Sequence, residues 1–203
     1  MTAAKKTSLD YAIGDRGEGK SALCRALSAG SDRLIIWDPL FEHGGDGIVV
    51  RSAADLAAAV RTARAGAATI IYQPGADLAY DFSAFCIGAC AWGHCTVLVE
   101  ELASVSTTGR APGWWGRALR ESRHRHLHII ANTQRPQEAD KTIWGLWTRV
   151  AIFYLPNARD REYVAAALGL PEKGAAIAAL PPLHFLELQK RKEPRLRRLI
   201  LPT

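Results

Sequence analysis

Gly14-Asp15-Arg16-Gly17-Glu18-Gly19-Lys20-Ser21 is the stretch on which the fold turns. It fits the pattern Gly-x-x-x-x-Gly-Lys-Ser without a gap. Gly14, Gly17 and Gly19 let the backbone curl until its N–H groups face inward on phosphate oxygens, with Asp15, Arg16 and Glu18 between them. Lys20 supplies a point charge for the β and γ phosphates, and the Ser21 hydroxyl is a ligand for Mg²⁺. A helix that opens near Gly19 aims its N-terminal dipole at the same anion. The flanks meet this requirement. Ser8 to Gly14 reads as a short strand, and Lys20 to Ala29 reads as a helix with Leu23, Ala26 and Leu27 on one face and Gly30 as its stop.

Outward from the cradle, strand and helix patterns alternate. Arg33 to Asp38 predicts a buried strand closed by Pro39, and the glycine-rich segment from Phe41 to Gly47 predicts a loop. Ser52, with Asp55 three residues on, opens a helix that keeps its spacing to about Gly66. A strand from Thr69 to Tyr72, a helix from about Asp81 to Trp92 and a strand from Cys95 to Val99 follow. Leu102 to Gly113 reads as a loop, with Pro112 in the first turn of a helix running to about Arg125. Leu127 to Asn132 and Arg149 to Leu155 are strands; Asn157 caps a helix ending at Gly169, and Pro171 opens a short one. Leu183 to Leu201 reads as a hairpin turning around Lys192-Glu193-Pro194. The alternation predicts an α/β domain over residues 1–203 with a mainly parallel sheet and helices on both faces.

Two strand ends carry further chemistry. Thr96-Val97-Leu98-Val99 delivers Glu100-Glu101, where the first carboxylate is assigned to the metal shell and the second to the attacking water as general base. Asp38 also ends a strand, but it stands alone and close behind the cradle, so the glutamates are preferred. The strand His128 to Asn132 leads into Thr133-Gln134-Arg135-Pro136 and brings Gln134 to the carboxyl edge of the sheet, where ligands of open α/β sheets bind.

The cradle at 14–21, the acidic pair at 100–101 and Thr133 to Pro136 together resemble the FtsK–HerA superfamily of DNA-pumping ATPases. The short chain is similar, within it, to the genome-packaging ATPases of membrane-containing icosahedral viruses and tailless phages. The resemblance spans about residues 8 to 170. It implies a RecA-like P-loop NTPase fold, ATP and Mg²⁺ as cofactors, and a ring, usually a hexamer, with ATP at subunit interfaces. It also implies double-stranded DNA and capsid or vertex proteins as partners, without direct membrane insertion, in the host cytoplasm or the virion. An arginine finger is expected on the helix before the Thr-Gln strand, where Arg123 and then Arg120 are the candidates; three apart, they would share one helix face. Glu100 departs from the Asp that most of that family carries. Two other readings stay open: an ATPase motor for phage assembly or secretion, and a nucleotide-binding vertex protein that does not hydrolyse. A small-molecule kinase would need an arginine-rich lid over an acceptor site, which the sequence lacks.

Composition sets wider bounds. With 203 residues and 48% hydrophobic residues, the chain can bury one substantial core. No apolar run reaches the ~18 residues of a membrane span, and Met1 to Lys6 lacks the apolar core of a secretion signal, which predicts a cytosolic or virion-packaged protein. A net charge of +6 favours polyanionic partners. The basic tail from Lys190 to Arg198 suits phosphate contact or a solvated hairpin equally, and the loop Ser104 to Gly113 with Arg110 is a candidate grip on DNA. Cys86, Cys90, His94 and Cys95 invite a zinc reading. However, Cys86 and Cys90 stand at i and i+4 on an apolar helix, where cysteine packs as a small hydrophobe. His124, His126 and His128 alternate, as a one-sided row for phosphate contact or equally as polar outward positions of an edge strand, and Trp114, Trp115, Trp144 and Trp147 read as core or subunit interface.

Overall fold

A computed structural model describes residues 7–45, 47–64 and 66–200. The polar start at 1–6, position 46 of the predicted glycine-rich loop and Leu201 of the predicted hairpin lie outside the described residues. In chain order the strands are β1 Leu9–Ile13, β2 Arg33–Trp37, β3 Ile48–Val50, β4 Ala68–Tyr72, β5 Thr96–Val99, β6 His128–Thr133, β7 Arg149–Ile152, β8 His184–Gln189 and β9 Arg195–Arg198. The helices are α1 Lys20–Ser28, α2 Ala53–Thr62, α3 Leu78–Trp92, α4 Gly113–Glu121, α5 Thr142–Leu146, α6 Ala158–Leu168 and α7 Ala175–Ala178.

The nine strands of the described residues form one sheet in the order β3-β4-β2-β5-β6-β1-β7-β8-β9. It is parallel from β3 to β7 and antiparallel at β7–β8 and β8–β9. The predicted parallel sheet with a C-terminal hairpin is therefore present. Because side chains alternate across a strand, each central strand feeds two cores. Tyr11, Ile13, Ile35, Trp37, Val97, Val99 and Ile129 face one cluster, together with buried residues of α2 to α7. Ala12, Ile36, Leu98 and Ile130 face the other, where Leu23 and Cys24 of α1 supply the helix side. Helices cover both faces, but unevenly: among the described residues α1 is the one helix on its side.

On the crowded face Trp37, Phe82, Phe85 and Trp115 interlock, with Trp37 and Phe82 ring centroids 5.0 Å apart. Each such buried ring contributes about 1.5–3 kcal/mol. Cys86, Cys90 and Cys95 are buried free thiols of this core, and burial pushes their pKa values up.

Several boundaries differ from the sequence expectation. Asp77 caps α3 by accepting from Tyr80 N at 3.0 Å, so that helix starts at Leu78 and not near Asp81. Asp81 instead accepts from the Tyr72 hydroxyl and Gly75 N, both at 2.7 Å, and ties the first turn to β4. The helix α4 ends at Glu121, not near Arg125, because the chain reverses through a left-handed His126 to enter β6. Arg120 is inside α4 and Arg123 is in the turn after it, so the two do not share a helix face. The short elements β3 and α5 carry too few residues to leave a periodic signal. The histidine row also dissolves: β6 is an interior strand, His128 is buried, and His124 and His126 are exposed in the turn before it.

Candidate functional site

The cradle rises between two strands. Gly14 N donates to Thr133 O of β6 at 3.3 Å, and Asp15 N donates to Tyr154 O beyond β7 at 2.9 Å. A Cβ on Gly14 would lie 2.5 Å from Phe153 Cβ, so only glycine lets the chain leave the sheet here. Gly17 (φ +82°) and Gly19 (φ +102°) take left-handed conformations, and α1 begins at once with Lys20. Local sequence therefore dictates the loop: glycines where the backbone must bend, then a helix N-terminus facing the concavity.

The Lys20 side chain folds back over the loop, its Nζ donating to Asp15 O at 2.7 Å. Burial lowers the pKa of this amine from its ordinary value, while the nearby carboxylates of Glu101, Asp15 and Glu100 push it back up. Ser21 Oγ donates to Glu100 Oε2 at 3.1 Å. This contact joins the first turn of α1 to the end of β5, although β6 stands between β5 and β1 in sheet order.

Glu100 is buried and has partners on both oxygens. Oε1 faces His43 Nε2 at 3.2 Å, and Oε2 accepts from Ser21 and from Asn132 Nδ2. Burial by itself raises the carboxyl pKa, but the bonds from His43, Asn132 and Ser21 outweigh it and hold Glu100 below the usual carboxylate range. The other end of the Asn132 amide accepts from Glu101 N at 3.0 Å. Glu101 sits in a left-handed conformation (φ 49°), which a non-glycine residue adopts at a cost of roughly 1–2 kcal/mol. That twist turns its carboxylate toward β6, where Oε1 accepts from Thr133 Oγ1 at 3.1 Å and Gln134 N at 3.2 Å.

Cradle, acidic pair and Thr-Gln strand thus meet at one edge of the sheet. Gln134 reaches Glu101 through its backbone N–H, with its side chain half-buried. Asp38 sits nearby, but its carboxylate is engaged by Glu42 N, His43 N and Gln73 Nε2 at 2.8, 3.1 and 3.2 Å. Sequence reasoning missed two residues of the site: His43, from the glycine-rich loop, which carries no signal for a role here, and Asn132. A polar residue inside a buried strand was the one available clue to Asn132.

Arg120 and Arg123 are not brought to this cradle. Both are exposed, and Arg123 lies in the turn whose Arg125 O accepts from His94 N at 2.8 Å, where β5 and β6 begin. That is the opposite edge of the sheet. Arg110 is exposed, and the residues on either side of it are pinned by Lys141 N on Gly109 O and Ala111 N on Thr142 Oγ1, both at 2.9 Å.

The donor set at Ser21 and Glu100 fits Mg²⁺: two hard oxygens on converging elements, matching an ion that takes few protein ligands and completes its shell with phosphate and water. Among the described residues no cluster of three or more His, Cys, Asp or Glu is arranged to hold a metal. No helix of the described residues is long and apolar enough to cross a membrane.

Strand order, glycine cradle and acidic strand end define a P-loop NTPase fold. Known proteins agree with that class. The structure matches the genome-packaging NTPase B204 of Sulfolobus turreted icosahedral virus 2 in complex with sulfate, with a TM-score of 0.77 and 18% identity over 98% of this chain and 100% of that one. The match to B204 in complex with ATPγS has a TM-score of 0.75 and 18% identity over 96% of this chain and 98% of that one. VirB4 of Thermoanaerobacter pseudethanolicus matches with a TM-score of 0.64 and 12% identity over 100% of this chain and 92% of that one. In sequence, the chain is 32% identical over 138 residues to Protein P9 of Pseudoalteromonas phage PM2, covering 64% of this chain. The match spans 61% of that relative's length. No protein-family model matches the sequence.

Proposed function

We propose that this chain is an ATPase, one domain over residues 1–203, that drives double-stranded DNA into a viral capsid. The observation that carries the reading is the convergence at one sheet edge of Lys20 and Ser21, at the start of α1, with Glu100 and Glu101, just beyond β5. In this reading the backbone from Gly14 to Ser21 wraps the triphosphate, and Lys20 exchanges its bond to Asp15 O for phosphate oxygens. Ser21 and Glu100 would hold Mg²⁺, which when bound neutralises charge on the phosphates. Glu101 takes the proton of the attacking water, held in place by Thr133 and Gln134 N, and the Gln134 side chain senses the γ-phosphate.

The finger is supplied in trans by Arg123, with Arg120 as the second candidate. Their position at the edge opposite the cradle supports this. In a head-to-tail ring each interface joins two different surfaces of the chain, so a group far from its own cradle can lie at its neighbour's. The likeness to B204 supports packaging as the task, and the likeness to P9, a phage protein, supports a viral setting, with DNA, capsid or vertex proteins and other copies as partners, in host cytoplasm or virion.

The test is the ATP hydrolysis rate with and without long duplex DNA at several salt concentrations. Stimulation that fades as salt rises is expected, since phosphate contacts release counterions. No stimulation at any salt removes DNA pumping, and no hydrolysis at all leaves only a nucleotide-binding vertex protein.

A further inference from the structure

The segment between β2 and β3 has a feature that packing does not explain. Its large apolar residues, Leu40 (59% exposed) and Phe41 (55%), face solvent, so hydrophobic burial does not hold it in place. Phe41 is also left-handed, with φ 57°, a conformation that persists only where surrounding contacts enforce it. Those contacts are polar. Asp38 accepts from Glu42 N and His43 N, and is itself braced by Gln73, whose Oε1 accepts from Arg51 Nη2 at 2.8 Å. The product of this scaffold is one buried side chain, His43, with Nε2 at 3.2 Å from Glu100 Oε1.

The geometry points to His43 as a positioning residue for Glu100: the Asp38-anchored loop places its Nε2 on the outer carboxylate oxygen and so aims the inner one at Ser21. The inference rests on the proposed role of Glu100 at the metal. Without a partner on Oε1 the carboxylate would be held through Oε2 alone. Ser21 and Asn132 engage only Oε2, so neither can replace His43. Groups that orient a metal-holding side chain typically affect metal affinity by about 10–100-fold.

Two substitutions of the same chemistry separate positioning from packing. Glutamine places its amide nitrogen near the site of the histidine Nε2, while asparagine, one methylene shorter, reaches only the Nδ1 site. The readout is the affinity of the ATPγS-loaded protein for Mn²⁺, followed by the electron paramagnetic resonance of free Mn²⁺, beside metal-free ATPγS binding. His43→Gln is expected to stay within about threefold of the parent, and His43→Asn to bind Mn²⁺ about tenfold more weakly, with metal-free ATPγS affinity unchanged in both. Equal Mn²⁺ affinity for the two variants overturns the inference. Glu100→Gln is the separate control. If it leaves Mn²⁺ affinity unchanged, the assignment of Glu100 to the metal fails, whatever the His43 variants do.

Discussion

Two buried carboxylates, one at each edge of the sheet, both meet a histidine Nε2, yet their surroundings are built for different ends. Asp10, where β1 starts, faces His128 at 2.8 Å and receives a two-pronged contact from Arg149, Nε at 3.1 Å and Nη2 at 2.9 Å. Arg149 also approaches Glu187 at 3.7 Å, and Glu187 pairs with Arg197 at 3.0 Å. This cluster neutralises its charge internally and ties β1, β6, β7, β8 and β9 together. Among the described residues, Glu100, where β5 ends, is hydrogen-bonded to a histidine, an amide and a hydroxyl and to no guanidinium. A carboxylate closed by a bidentate arginine is a structural tie. One held by groups that can yield to a cation is a site in waiting. A carboxylate–histidine pair alone does not separate the two cases; the remaining partners do.

The largest expected effect falls at the strand-end cluster. Glu101→Gln should lower ATP turnover by about 10²–10⁴-fold while nucleotide affinity stays nearly unchanged, measured by steady-state hydrolysis and equilibrium binding. Asp10→Asn should leave turnover of the remaining folded protein close to the parent's. A large loss there would break the division between the two edges.

Next comes stability at the strand-start cluster. Arg149→Met leaves a buried carboxylate without its cation, and about 3–5 kcal/mol should be lost in urea unfolding. A smaller effect belongs to pH. Burial raises the Asp10 pKa, but hydrogen bonds from His128 and Arg149 exceed it, so the folded carboxyl lies below its ordinary value. The unfolded chain then binds this proton first as pH falls. The stability due to Asp10 is complete above about pH 4–5 and disappears below it, as the folded carboxyl titrates. The gap in urea midpoint between the parent and Asp10→Asn should accordingly close between pH 6 and pH 3. The smallest effect is expected for Glu100→Gln, which should cost about 1–2 kcal/mol in the same unfolding experiment, because one buried donor loses its acceptor. A cost above that of Arg149→Met would make Glu100 the structural tie and reverse the comparison.

What could be read in the sequence followed the range of the interaction. The cradle is eight consecutive residues, and α6 runs from its Asn157 cap to the left-handed Gly169, as short-range capping rules require. The end of α4 is not legible locally, because residues 122–126 hold no glycine or proline to announce the stop and the chain reverses through the left-handed His126. Edge strand β3, with Ile48 and Val49 exposed, lacks the buried run that announces a strand.

The sequence by itself determined the phosphate loop, the order of strands and helices and the presence of an acidic strand end, since each depends on neighbours a few residues apart. Only the tertiary structure decided which residues gather on Glu100. Its partners Ser21, His43 and Asn132 lie 79, 57 and 32 residues away along the chain. A parallel sheet makes such neighbours by stacking distant strand ends side by side, and no local pattern records which ends will meet.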